Sequence, residues 1–212
     1  MNKRLILWAV PAVIWLLFSF WYTDLGGPLS DQEVDEAMTF FDSQGIEPKR
    51  RQLMQDFLRN DSGRQFLMVN NIDKDEHPPV MPGFSPGASA DDYMAHYMEH
   101  MYRELLFRAS HPIFYASGLN FTIDVAGIDN AEGWDTAVLV RYRSKRTLLE
   151  IITNPAIGPR HAFKLAALTK TIAYPVETSL YLSDPRLLLF MLLALIAAFV
   201  DIAIYGRPAK PS

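Results

Sequence analysis

Two long apolar runs, one near each end of the chain, constrain this sequence most. Residues 5–22 and 187–200 contain no charged side chain, and the second run continues to residue 204 past a single aspartate. About twenty apolar residues are enough for a helix to cross the hydrocarbon core of a bilayer. We therefore expect transmembrane helices at residues 5–22 and 187–204, with the lipid bilayer as a partner.

Details of the two runs favour retained anchors. The first run ends in the bulky sequence FSFWY at residues 18–22, whereas a cleaved signal peptide ends in small residues. Asp201 lies near the distal end of the second run, where a charge costs less than at the bilayer centre. We expect it to reach the headgroups or to pair with Arg207.

Flanking charges predict the topology. Lys3 and Arg4 precede the first run, and Arg207 and Lys210 follow the second. Since cytoplasmic flanks are enriched in lysine and arginine, both termini are predicted to be cytoplasmic. The protein is then a two-pass protein of the plasma (inner) membrane. Its intervening segment is extracytoplasmic, which means periplasmic in a Gram-negative host.

Composition excludes several classes of function. The formal net charge is −4 and the pI is about 5.7, so the chain lacks the basic character of a protein that binds nucleic acid. It contains no cysteine, which excludes disulfides, cysteine metal sites and a cysteine nucleophile. Serine-nucleophile elbows, phosphate loops and dinucleotide fingerprints are also absent from the sequence.

Residues 23–63 are predicted to form a juxtamembrane helical pair. Ser30 and Glu33 make a capping box that opens a helix to about Ser43. Pro48 opens a second helix that runs to Arg59. We expect both helices to pack on the following domain or on a partner.

Residues 64–180 alternate between strand and helix patterns. Residues 136–141 carry apolar and β-branched side chains on both faces, which favours a central strand. The predicted order is strand 65–72, helix 90–108, strand 113–125, strand 136–141, helices 145–153 and 158–169, and strand 171–177. This is the ferredoxin-like βαββαβ arrangement of the α+β class, an antiparallel sheet with helices on one face. The other face is apolar, and a second copy of the chain is the expected cover.

Several blocks carry a resemblance to a known family. They are Met68-Val69-Asn70, Tyr93 with Tyr97, Trp134-Asp135 followed by Val140-Arg141-Tyr142-Arg143-Ser144, and Pro155 with His161 and Leu165-Ala166-Ala167-Leu168. Over about residues 65–178 the chain resembles the DUF1330-like family of the dimeric α+β barrel superfamily. The resemblance implies a ferredoxin-like fold and a face-to-face homodimer. It implies no single chemistry, because that superfamily includes monooxygenases, isomerases and haem-handling enzymes.

One short motif suggests a metal. His96, Glu99 and His100 match the H-x-x-E-H pattern, in which two histidines bind zinc and the glutamate acts as a base. The pattern is only five residues long, and no third ligand is recognisable. We therefore favour a polar helix face and predict no cofactor, with zinc on His96 and His100 as the alternative.

A pocket between sheet and helices is the other candidate site. Tyr93, Tyr97, Arg141 and His161 are the predicted lining residues, and the ligand would be small and apolar or aromatic. For His161 a structural hydrogen bond to a loop carbonyl is the favoured alternative, since a lone histidine has many structural uses. For Arg141 pairing with a nearby carboxylate is favoured.

The sequence therefore leaves three functions open. The favoured one is a non-enzymatic docking or dimerisation module on a membrane anchor, with a homodimer or a membrane protein as partner. The second is a membrane-tethered domain, or an enzyme, that binds a small ligand. The third, and weakest, is a zinc site on the H-x-x-E-H helix.

Overall fold

The computed structural model describes residues 2–119 and 121–206, which divide into two compact units. Asn120, Arg207 and Lys210, on which some of the expectations rested, lie outside the described residues. One unit consists of the two chain ends, up to residue 25 and from residue 178 onward, and the other of Gly26–Glu177. The terminal unit contains helices α1 (Lys3–Tyr22) and α7 (Pro185–Tyr205). The central unit contains α2 (Asp31–Ser43), α3 (Pro48–Arg59), β1 (Phe66–Lys74), α4 (Ala90–Phe107), β2 (His111–Ser117), β3 (Thr136–Tyr142), α5 (Lys145–Ile152), α6 (Gly158–Ala166) and β4 (Leu168–Val176).

The central unit has the ferredoxin-like arrangement. Its four strands pair antiparallel in the order β2-β3-β1-β4, as the βαββαβ pattern predicts. Helices α4, α5 and α6 pack on the face that carries Phe66 and Tyr142, whose rings stack 5.3 Å apart. Leu105 and Ile151 close this end of the core from the helices. The α+β fold class is therefore confirmed.

The helical pair α2 and α3 belongs to this central unit. Val34, Met38 and Leu58 form a buried cluster with Leu149 of α5. The predicted capping box is present, because the Ser30 hydroxyl accepts the Glu33 N–H and the Glu33 carboxylate accepts the Ser30 N–H. The pair therefore continues the core of the domain.

Strand β2 is shorter than predicted. The sequence predicted a strand over residues 113–125, but β2 ends at Ser117. The Gly118 N–H donates to the Asp135 carbonyl at 2.6 Å, and a Cβ at this position would overlap the Trp134 carbonyl. Gly118 therefore closes the base of the β2–β3 connection, which leaves the sheet at this point.

In the terminal unit, α1 and α7 pack antiparallel. Arg4 makes a bidentate ion pair with Asp201, with both distances 2.8 Å. Farther along, the Trp15 indole donates to the Arg186 carbonyl, and its ring makes an edge contact with Phe190. Both helices are long and apolar enough to cross a membrane. Most of their side chains are exposed in the structure, so they are not the core helices of a globular domain.

Candidate functional site

A cavity of about 830 Å³ lies between the sheet and its helices, within the central unit. Its walls are mainly apolar and come from both layers. The sheet contributes Met68, Asn70, Ile72, Lys74, Pro112, Tyr115, Thr136, Val138, Val140, Tyr142 and Ala173. The helices and their connections contribute Phe40, Phe41, Gln44, Asp91, Met94, Ala95, Tyr97, Met98, Met101, Tyr102, Leu105, Leu148, Ile152, Ile157, Gly158, His161 and Lys164.

The cavity exists because the side chains on the helix-covered face of the sheet become shorter from one end to the other. At one end the large rings of Phe66 and Tyr142 fill the space below the helices. Farther along, the strands present the short side chains of Thr136, Val138 and Ala173 on the same face. Since these side chains cannot reach the helices, the interior there is open instead of close-packed.

Two buried tyrosines place phenol groups in the lining. Tyr97 of α4 and Tyr142 of β3 are each only 9% exposed. Burial raises the pKa of Tyr142 to about 12, and burial together with the nearby Tyr142 raises the pKa of Tyr97 well above its usual range. Both therefore remain protonated donors at neutral pH. Within the described residues neither hydroxyl has a hydrogen-bond partner, and both are accessible from the cavity.

A cationic group from α6 joins these phenols. The Lys164 ammonium lies 5.9 Å from the centroid of the Tyr97 ring, and the His161 ring makes an edge contact with the same ring at 6.1 Å. Burial lowers the pKa of Lys164. The pKa of His161 is lowered by burial first and then by the positive charges of Lys164 and Arg50. His161 is therefore neutral at pH 7.

A second lysine in the lining, Lys74, already forms an ion pair with a carboxylate. Lys74 Nζ lies 2.6 Å from the Asp91 carboxylate. Among the described residues, no carboxylate lies within 4.0 Å of Lys164 in the same way. The net formal charge of the lining therefore comes from Lys164.

The structure separates the four residues predicted to bind a ligand. Tyr97 and His161 line the cavity together, whereas Tyr93 and Arg141 are not among its lining residues. The Tyr93 hydroxyl donates to the Pro79 carbonyl at 3.0 Å and accepts the Met81 N–H at 3.1 Å. Tyr93 thus holds the proline-rich loop.

Arg141 has a structural position. It is fully buried, and its guanidinium donates to the Gln65 side chain at 2.8 Å and to the Ala109 carbonyl. Ala109 has a positive φ of 51°, so Arg141 binds the carbonyl of an unusual turn between α4 and β2. For His161, the predicted hydrogen bond to a loop carbonyl is not observed among the described residues.

The histidines of the H-x-x-E-H motif have other contacts. The His96 ring packs against Phe84 and Phe163, with centroid distances of 5.5 and 4.6 Å. His100 Nδ1 lies 4.0 Å from the Glu99 carboxylate. In the described parts of the chain, no group of three or more histidine, aspartate or glutamate side chains could hold a metal ion.

Lys164 was missed by the sequence analysis, and Tyr142 was not among the four residues predicted to bind a ligand, although signals for both exist. Tyr142 continues the alternation of Val138 and Val140 in β3, which places it on the helix-covered face. Lys164 follows His161 by three residues on α6, and residues at this spacing share a helix face.

Comparisons with known proteins identify the fold. No protein-family model matches the chain, and no curated protein does, so the DUF1330-like assignment stays a prediction. The chain is similar to a protein of unknown function from Rhodopseudomonas palustris. One crystal structure of that protein has 15% identity and a TM-score of 0.51, covering 64% of this chain and 98% of that one. Its methylated form has 16% identity and a TM-score of 0.52, covering 66% and 97%. A dimeric ferredoxin-like protein of unknown function from Bacteroides fragilis has 10% identity and a TM-score of 0.32, covering 54% of this chain and 96% of that one. At these identities, the Rhodopseudomonas likeness shows a shared fold and nothing about activity.

Proposed function

We propose that this chain is a membrane-anchored protein whose central unit binds a small, mainly apolar ligand. The observation that carries the proposal is the 830 Å³ cavity, whose apolar walls contain two buried phenols without partners. Ligand sites are typically concave, mostly apolar and roughly 300–1,000 Å³ in volume, with a few polar groups that orient the ligand. The proposal places no chemical reaction at the site.

The tyrosine hydroxyls give the cavity two donors that can orient a ligand. Both side chains are mostly buried, but their hydroxyl oxygens are accessible from the open space of the cavity. A ligand oxygen that accepts from Tyr97 or Tyr142 would gain a hydrogen bond worth about 0.5–1.5 kcal/mol. Three methionines of the lining, Met94, Met98 and Met101, supply flexible side chains that adapt to the shape of an apolar body.

The membrane anchor is proposed from the terminal helices. Helices α1 and α7 expose an apolar surface that an aqueous environment would not favour. Their antiparallel packing supports two crossings with both chain ends on one side, which the flanking Lys3 and Arg4 favour as the cytoplasmic side. The central unit would then be extracytoplasmic.

The favoured role from the sequence, docking or dimerisation, remains a second candidate. The sheet face opposite the helices carries Phe114 and Tyr174, which are 50% and 46% exposed. Val69 and Leu139 lie beside them in register. An apolar sheet face of this kind favours a second copy or a protein partner.

A cavity-filling substitution tests ligand binding. Val138→Trp places a large ring in the cavity, whereas Leu139→Trp places the same ring on the opposite face of β3. Titration calorimetry of the full chain in phosphatidylcholine nanodiscs would use 2-naphthamide, a neutral aromatic probe, with empty nanodiscs as the blank. We expect saturable binding by the wild type and Leu139→Trp, and none by Val138→Trp. Equal binding by both variants, or no saturable binding by the wild type, would reject the proposal.

A further inference from the structure

We propose that the ligand of this cavity is a monoanion, a carboxylate on an apolar body, with Lys164 as its charge partner. This inference rests on the proposed ligand-binding function and adds the chemical class of the ligand. It starts from the balance of charges in the cavity lining.

The lining contains one carboxylate, Asp91, and two lysines, Lys74 and Lys164. Asp91 and Lys74 pair with each other at 2.6 Å, so their charges cancel. Lys164 has no carboxylate within 4.0 Å among the described residues, and its ammonium lies 5.9 Å from the centroid of the Tyr97 ring. The uncompensated charge is therefore one positive charge.

The surroundings of Lys164 strengthen the preference for an anion. His161 packs on the same Tyr97 ring, and the positive charges of Lys164 and Arg50 both act on it, so the charged neighbours at this end of the cavity are bases. Removing an ammonium from water without an anionic partner is unfavourable. An anion at this position would restore a charge-assisted hydrogen bond, and a cation would be repelled.

The donor set matches a carboxylate better than a phosphate. The cavity offers one ammonium and the two phenol donors of Tyr97 and Tyr142. A carboxylate carries one charge and two acceptor oxygens, so a single lysine neutralises it while a phenol satisfies the second oxygen. A phosphate near pH 7 carries up to two charges and would leave one uncompensated here. The apolar body would lie along Val138 and the methionines of α4.

Matched probes test the inference. The full chain in phosphatidylcholine nanodiscs would be titrated at pH 7.5 with 2-naphthoate and with 2-naphthamide, which have the same body and differ in charge. Because a hydrogen bond to a charged group is stronger than a neutral one, we expect naphthoate to bind about tenfold more tightly than naphthamide. Lys164→Gln should abolish this preference and leave naphthamide binding within about twofold, again because only the charged contact is lost. Lys164→Arg should restore it.

A matched control makes the outcomes distinct. Lys49→Gln removes the same charge from an exposed position of α3 outside the cavity and should keep the preference for naphthoate. If naphthamide binds as tightly as naphthoate to the wild type, or Lys164→Gln keeps the preference, the monoanion inference is wrong while the proposed cavity function stands. If neither probe binds, the proposed function fails together with the inference.

Discussion

Replacing Glu33 by glutamine should destabilise the central unit at neutral pH, because Glu33 links the start of α2 to the start of α5. One carboxylate oxygen accepts the Arg146 Nε–H at 2.6 Å, and the other accepts the Ser30 N–H at 2.8 Å. Arg146 also donates to the Gly27 and Pro28 carbonyls. Glutamine keeps the side-chain carbonyl, so the substitution mainly removes the charge.

The size of the effect follows from the pKa of this carboxyl. The hydrogen bond from Arg146, followed by the N–H of Ser30, lowers the pKa of Glu33 from 4.5 to about 2. Since one pKa unit corresponds to about 1.4 kcal/mol, full coupling would stabilise the fold by about 3.4 kcal/mol. The Glu33 side chain is 34% exposed, so solvent screening reduces the expected effect to about 1–2 kcal/mol.

The lowered pKa of Glu33 also determines how the free energy of unfolding changes with pH. A lowered carboxyl pKa contributes stability above the unfolded value of 4.5, and this stability is lost as the pH falls from 4.5 towards 2. The wild type should therefore exceed Glu33→Gln in free energy of unfolding at pH 7, and the difference should shrink as the pH falls below 4.5 and vanish only below about pH 2. Urea unfolding of the full chain in detergent micelles, followed by Trp134 fluorescence, measures this difference.

Glu36→Gln is the matched control, because Glu36 lies on the same helix and accepts a hydrogen bond only from Gln32 among the described residues. It should change the free energy of unfolding by less than about 0.5 kcal/mol. A Glu33→Gln difference that is absent at pH 7, or that stays constant down to pH 2.5, would refute the assignment of this stability to the Glu33 charge.

Two further substitutions test contacts that join distant parts of the chain. Lys145 donates to the Phe57 and Asn60 carbonyls at 2.6 and 2.7 Å and lies 3.9 Å from buried Asp61, so Lys145→Met should lower the free energy of unfolding by about 3 kcal/mol. Urea unfolding measures this change in free energy, with Lys49→Met as the control at an exposed lysine. Equal losses for the two variants would contradict a stabilising role of the buried Lys145 contacts. In the terminal unit, a short bismaleimide should crosslink Trp15→Cys to Phe190→Cys in a chain that has no other cysteine. Asp201→Leu should slow this crosslink, and the charge exchange of Arg4→Asp with Asp201→Arg should restore its rate. If Asp201→Leu leaves the crosslinking rate unchanged, the ion pair does not hold α1 to α7.

Local interactions explain how much of the fold could be predicted. The capping boxes at Ser30 and Ser89 join residues three positions apart, so the sequence alone shows where α2 and α4 begin. The apolar and β-branched side chains of residues 136–141 likewise indicate a strand with both faces covered. From these elements and their order, the ferredoxin-like arrangement follows without tertiary information.

Contacts between distant residues decided the rest. The end of β2 depends on the close approach of Gly118 to Trp134, and no pattern within residues 113–125 contains that contact. Asp201 pairs with Arg4, which lies 197 positions away in the sequence.

The sequence by itself determined the helices and strands, their order and the two long apolar helices, because each depends on neighbours along the chain. The tertiary structure alone decided the cavity, since its volume depends on which side chains of the sheet face the helices. Thr136, Val138 and Ala173 come from two strands and leave space only when they lie together below α4. The same packing separated Arg141 from the site and brought Lys164 to Tyr97.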